Sequence, residues 1–220
     1  MDTSSSAPPT DGTDAETLTV YADYVCPFCY LGHESLAQYI ADREAPLAVD
    51  WRPFDLRRGK RRPDGSIDHG VDDGKDDEYF EQARQNVRRL QAEYDVEMSQ
   101  ELAVEVDSLP AQLASHVVKT EHPAQWADFD DAIYKALWVE GRDIGDLEVL
   151  CSLADDVGLS GDIVRTALED DARRKRLEEG FQAAQERGVT GVPTFVYGEH
   201  VARGAVPPAH LRRLVEGVNE

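Results

Sequence analysis

The sequence predicts an α/β fold: a small sheet with flanking helices, interrupted by a large all-helical insertion. Three observations predict it. Short β-type runs sit near both ends of the chain, at 17–24, 47–54, 193–197 and 200–203. Between them, from Asp76 to about Arg187, apolar residues recur at helical spacing throughout. That block is too long for a crossover within one sheet, so it forms a second lobe. At 220 residues and 41% hydrophobic content, the chain suits one domain carrying a large insertion.

Residues 1–16, rich in Ser, Thr, Pro and Asp, read as a disordered acidic tail. They show no basic region, apolar stretch or small-residue cleavage site, so they do not read as a secretory signal. Residues 17–24 (TLTVYADY) form a first strand. Residues 27 to about 43 form a helix, with Leu31, Leu36, Tyr39 and Ile40 near helical spacing and Pro46 just beyond. Residues 47–54 alternate as a second strand until Pro53 perturbs them. Residues 57–76 carry many Gly, Pro and charges and read as a loop. Helices are expected at 76–94, 110–121, 123–140, 146–157, 160–169 and 171–187, with Ser160 as an N-cap. Strands 193–197 and 200–203 form a hairpin around Gly198-Glu199, and Pro207-Pro208 opens a last helix. The expected organisation is thus a discontinuous domain of 17–56 and 188–220, with 57–187 as an inserted loop and helical domain.

Charge is lopsided, with 44 acidic residues against 23 basic and a net charge of −21. Such a surface repels phosphate backbones, which excludes nucleic acid as a partner. Only five basic residues are Lys, and a carboxylate-rich, Lys-poor surface is that expected of a cytosolic protein from a high-salt organism. No segment reaches the length of a membrane span. Three cysteines are too few for a disulfide-stapled secreted domain, so a cytoplasmic location is expected. The run Arg57, Arg58, Lys60, Arg61, Arg62 could attract an anionic substrate, but it reads first as a solvated loop balancing nearby Asp.

The chemistry-bearing motif is Cys26-Pro27-Phe28-Cys29, between a strand pattern and a helix pattern. Two cysteines at this spacing can close a small disulfide. At a helix start, unpaired N–H groups and the helix dipole stabilise a thiolate. Cys26 comes first, at the exposed end, and is the candidate nucleophile; Cys29, one turn in, is the resolving thiol. Pro27 suits the first helical turn, where an N–H would lack a partner. The competing reading is a zinc half-site of Cys26, Cys29 and His33, but no second ligand pair completes it, and no metal is expected. Near the other end, Gly188-Val189-Thr190-Gly191-Val192-Pro193-Thr194-Phe195 places a proline between a glycine turn and a β-branched strand, a candidate cis X–Pro site.

Strand–Cys-Pro-x-Cys–helix near the start, paired with Gly-Val-Pro-Thr-Phe near the end, resembles the thioredoxin-fold oxidoreductases. The helical insertion between them resembles the DsbA family. Tyr24–Gly32, Trp51–Leu56 and Ala136–Gly145 are most similar to its FrnE-like branch. The resemblance spans about 17–217. It implies a thioredoxin-like (DsbA-like) fold and thiol–disulfide oxidoreductase activity on a protein or low-molecular-weight thiol or disulfide. No cofactor is implied beyond the Cys26–Cys29 disulfide itself. It also implies a cis-proline turn at Val192-Pro193 beside Cys26, where Pro27, Phe28, Val192 and Pro193 contact substrate. Phe28 stands where the branch often has Trp. Relatives in the superfamily, the glutathione-dependent transferases and 2-hydroxychromene-2-carboxylate isomerases, characteristically carry serine at the first cysteine; Cys26 argues for redox exchange. A transferase or isomerase, and a non-catalytic peptide-binding or chaperone-like module, are the alternatives.

Asp23, three residues before Cys26, is a candidate for proton transfer, against a plain strand-end carboxylate. His33 could stabilise a thiolate, but reads first as a partly exposed helix residue. Cys151, among apolar residues, reads as core packing. Trp126, Phe129, Ile133, Tyr134, Leu137 and Trp138 follow helical spacing and read first as the core of the insertion, with the lining of an inter-lobe cleft as the second reading.

Overall fold

Strand β1 (Thr17–Ala22) alternates, and both of its faces are covered. Leu18, Val20 and Ala22 enter the main core, while Tyr21 points the other way and packs with Ala184 and Val189. A strand buried on both faces sits in the middle of a sheet, and β1 does. In the computed structural model, which describes residues 17–72 and 74–217, the four strands run in the order β2-β1-β3-β4. The expected tail at 1–16 lies outside the described residues. Strand β2 (Ala48–Pro53) pairs parallel to β1, with Val20 opposite Trp51. Strand β3 (Thr194–Tyr197) pairs antiparallel on the other side, with Val20 opposite Phe195. Strand β4 (His200–Arg203) closes the hairpin. Residues near both ends of the chain therefore meet on β1.

Helix α1 (Pro27–Ala41) follows β1 and leads to β2. The helical block comprises α2 (Asp77–Tyr94), α3 (Leu109–Glu121), α4 (Pro123–Trp138), α5 (Leu147–Asp156), α6 (Gly161–Leu168) and α7 (Asp171–Glu186). Helix α8 (Pro208–Glu216) ends the fold. Four helices of the block start on side-chain caps: Asp76, Asp146, Ser160 and Asp170 each accept from a backbone N–H of the first turn. Each such cap contributes about 0.5–2 kcal/mol. Helix α7 crosses the end of β2 closely enough that a Cβ on Gly180 would stand 3.2 Å from Pro53 Cγ.

The expected helical run from 76 to 187 is interrupted. Residues 96–107 form no helix, and residues 57–76 contain one short 3-10 turn, Arg58–Lys60. Tertiary bonds replace local ones in the 96–107 stretch. Ser99 N–H donates to the Trp138 carbonyl (2.7 Å), and the Arg57 guanidinium donates to the carbonyls of Ala103 and Val106. Among the described residues, no helix is long and apolar enough to cross a membrane.

The helical block and the sheet share one core, because Phe129, Ile133, Leu137 and Trp138 of α4 cluster with Leu18, Val20, Trp51 and Phe195. The junction is polar at one point. Tyr24, fully buried just after β1, donates its hydroxyl proton to Asp130 Oδ1 (2.5 Å) and also bonds Ser115 Oγ (2.8 Å). Trp138 Nε1 donates to the Tyr24 carbonyl (2.9 Å), and the Tyr24 ring meets Trp51 and Tyr134. Replacing Tyr24 by Phe keeps the ring and leaves the buried Asp130 carboxylate without that donor. The expected cost is about 1–3 kcal/mol, or a melting temperature lower by about 2–4 °C per kcal/mol. Chemical denaturation of the variant measures it, and an unchanged midpoint would show that the hydroxyl does not secure the junction.

Candidate active site

Ala22 is the last residue of β1, and a tight turn leads to α1. Cys26 N–H donates to the Asp23 carbonyl (3.0 Å), closing the turn, and Cys26 itself is the N-cap of α1. Its backbone is extended there, and its carbonyl accepts from Cys29 N–H (2.9 Å). Pro27 occupies the first helical position, where its missing N–H costs nothing. The fold thus places the two sulfurs one helical turn apart, both as free thiols. The expected contrast in exposure is small: Cys26 is 5% exposed and Cys29 2%. The thiols differ in their surroundings. Burial pushes the Cys29 thiol well above the ordinary range, and the adjacent Cys26 sulfur adds to the shift.

Val192 and Pro193 come to this point from the far end of the chain. The Val192–Pro193 peptide bond is cis. The Val192 carbonyl lies 3.6 Å from Cys26 Sγ, while the Pro193 carbonyl accepts from Gly204 N–H (2.8 Å). Gly32 makes the approach possible, because a Cβ there would stand 3.2 Å from both Pro193 Cγ and Phe195 Cζ.

Phe28 is half-buried and lines a groove beside the motif together with Val25, Leu56, Tyr79, Phe80 and Val104. Leu56, Tyr79 and Val104 are among the exposed large apolar side chains. The basic run of the 57–62 loop is divided. Arg61 pairs with Asp55 (2.6 Å) and Asp107 (2.9 Å), and Arg62 pairs with Asp68 (3.2 Å). Those two balance neighbouring carboxylates, whereas Arg57 and Lys60 line the groove.

Asp23 is fully buried. One carboxylate oxygen accepts from Leu56 N–H (2.9 Å) and the other from Val25 N–H (3.3 Å). It therefore ties the turn before Cys26 to the chain leaving β2. Burial raises its carboxyl to about 6, against the pull of hydrogen bonds from Ser108, Leu56 and Val25. His33 is paired on α4, its Nδ1 3.7 Å from Asp130 and its Nε2 3.6 Å from Asp131. His33, Glu34 and Asp131 bring donor atoms within 4.8 Å of one another, and the His33 nitrogens lie near the Asp130 and Asp131 carboxylates at more than direct hydrogen-bond distance. Among the described residues, no such cluster joins His33 to Cys26 and Cys29. Cys151 is buried, its thiol directed at the Gly161 carbonyl (3.3 Å) in the α5–α6 packing.

The hydrogen bonds of Tyr24 with Asp130, Ser115 and Trp138, and the groove residues Tyr79 and Val104, are absent from the sequence-based reading. Asp130 carries a legible signal: it shares a helical face with Trp126, Ile133, Tyr134 and Leu137, and a carboxylate on a core face implies a buried polar partner.

The family model of the DSBA-like thioredoxin domain matches residues 17–216. The chain belongs to that family. An uncharacterized protein, YwbO, of Bacillus subtilis is 30% identical over 199 residues, covering 86% of this chain and 90% of YwbO. A 2-hydroxychromene-2-carboxylate isomerase of Sphingobium xenophagum is 23% identical, covering 86% and 92%. A probable DsbA oxidoreductase of Streptomyces coelicolor shares the fold with a TM-score of 0.71 at 21% identity, covering 93% of this chain and 91% of that one. This DsbA-like fold, a four-stranded sheet with most of its helices in the insertion, is the one expected from the sequence.

Asp23 makes stability depend on pH with a definite sign. Its folded-state value is about 6 and its ordinary value 3.8, so folding favours the protonated form. The contribution is fully present below about 3.8 and lost as pH rises through about 6. The unfolding free energy of the native protein minus that of Asp23→Asn should fall by about 2–3 kcal/mol across this window. A flat difference would show that Asp23 ionises normally.

Proposed function

We propose that this DSBA-like protein is a thiol–disulfide oxidoreductase working through Cys26 and Cys29. The observation that carries the reading is the pair itself, Cys26 as N-cap of α1 with the Val192 carbonyl 3.6 Å from its sulfur, and Cys29 one turn in. The Cys26 thiolate attacks a substrate disulfide, forming a Cys26–substrate mixed disulfide and releasing one substrate thiolate. Cys29 loses its proton and attacks the Cys26 sulfur, closing Cys26–Cys29 and releasing the second thiolate. The substrate gains two electrons and the pair loses two; the reverse sequence oxidises a substrate dithiol.

Phe28, Pro27, Val192 and Pro193 surround the point of attack in this reading. An extended substrate segment would lie along the Val192–Pro193 backbone in the manner of strand addition. Its apolar side chains would enter the groove beside Phe28, where Leu56, Tyr79 and Val104 stand exposed. Asp23 supports this site from below by fixing Val25 and Leu56.

Insulin reduction in the presence of a thiol reductant tests the reading. Cys26→Ser should reduce the rate to the uncatalysed background. Cys29→Ser should stall after the first step and accumulate a mixed disulfide visible by mass spectrometry. Full activity in Cys26→Ser would sink the assignment. Isomerisation of an aromatic substrate surviving in Cys29→Ser would instead favour the isomerase chemistry named for the Sphingobium relative.

A further inference from the structure

The second exchange step needs an acceptor for the Cys29 proton, and burial makes that proton hard to remove. A cavity between α1, the sheet and α4 offers a route. Its walls include Cys29, His33, Trp51, Trp126, Asp130 and Tyr134. Cys29 and His33 stand four residues apart on α1, so their side chains leave the same helix face one turn apart. The His33 ring lies 4.8 Å from that of Tyr134, and its side chain is 24% exposed, so a proton taken there can pass on to water.

We propose that His33 accepts the Cys29 thiol proton across this cavity during resolution, with Asp130 and Asp131 orienting and stabilising the imidazolium. The proposal rests on the oxidoreductase reading and assigns a residue to its second step. The Cys29 S–H bond breaks as the Cys29 sulfur bonds to Cys26. The Cys26–substrate bond breaks, the substrate sulfur leaves as thiolate, and the proton moves to His33 and then to solvent.

The surroundings suit an acceptor. Burial alone would lower the imidazole, but Asp131, Asp130 and Glu34 outweigh it and hold the group above its ordinary 6.5. Groups face His33 from each side. Glu34 lies on its own helix, and Asp130, Asp131 and Tyr134 lie on α4. Lys135 pairs with Asp131 (2.7 Å), and Lys119 of α3 acts on Asp130. Asp23 is the competing acceptor. Its carboxylate oxygens accept from Val25 and Leu56, and it is not among the residues lining the cavity.

The two steps separate in a stopped-flow experiment on the reduced full-length protein in a Cys151→Ala background. Excess dithiobis(nitrobenzoate) releases one coloured thiolate when Cys26 attacks and a second when Cys29 resolves. His33→Asn and His33→Gln should leave the first release unchanged and slow the second about tenfold or more near neutral pH. The acid limb of the second rate should move to higher pH, and added imidazole should restore part of the rate. A second release with unchanged rate and pH profile in both variants would overturn the proposal. So would a limb that survives in them and is lost in Asp23→Asn. Failure of the unmutated pair to give either release would instead defeat the oxidoreductase reading.

Discussion

The position of Cys26 depends on the burial of Tyr24. Two residues before the nucleophile, this side chain leaves the sheet and enters the helical block, where Asp130 and Ser115 hold its hydroxyl and Trp138 holds its carbonyl. A buried polar group of this kind specifies geometry, because any shift leaves a carboxylate or an indole N–H without its partner. The turn at 23–26 is therefore fixed from both sides, by β1 before it and by α3 and α4 around it. The same contact docks α4 beside α1, which brings Asp130, Asp131 and Tyr134 to His33 and shapes the cavity behind Cys29.

The second constraint is steric. Gly32 lets Pro193 and Phe195 approach α1 within van der Waals distance, and the Val192 carbonyl then reaches the Cys26 sulfur. Segments more than 160 residues apart in the chain meet there through β1, the one strand bonded to both β2 and β3. The two thiols so placed face different surroundings: Cys26, itself buried, sits at a helix N-terminus with the Val192 carbonyl against its sulfur, and Cys29 borders the cavity between α1 and α4. In the proposed exchange the first sulfur is the one that meets substrate, and deprotonation is the demand on the second.

Much of this was legible in the sequence, because it is written in local patterns. The strand before Cys26, the proline-started helix after it, the Gly198 hairpin and the cap at Ser160 follow from spacing and residue type alone. The stretch at 96–107 was not legible, since Arg57 and Trp138, distant in sequence, supply its hydrogen-bond partners. The burial of Cys26 was also hidden, because a residue that lies against its sulfur, Val192, is 166 positions away. Asp23 appeared as a lone carboxylate, and only the fold shows Leu56 and Val25 using its oxygens. His33 appeared as an ordinary helix residue; its pairing depends on α4, which is nearly a hundred positions away.

In the proposed function Cys26 and Cys29 form one two-electron couple. The direct measurement is equilibration of the protein in thiol–disulfide buffers of graded potential, followed by rapid alkylation and mass spectrometry of the peptides. One transition is expected, in which Cys26 and Cys29 lose alkylation together while Cys151 remains alkylated at every potential. Cys26 and Cys29 both alkylated across the whole range, or Cys26 oxidising without Cys29, would contradict it.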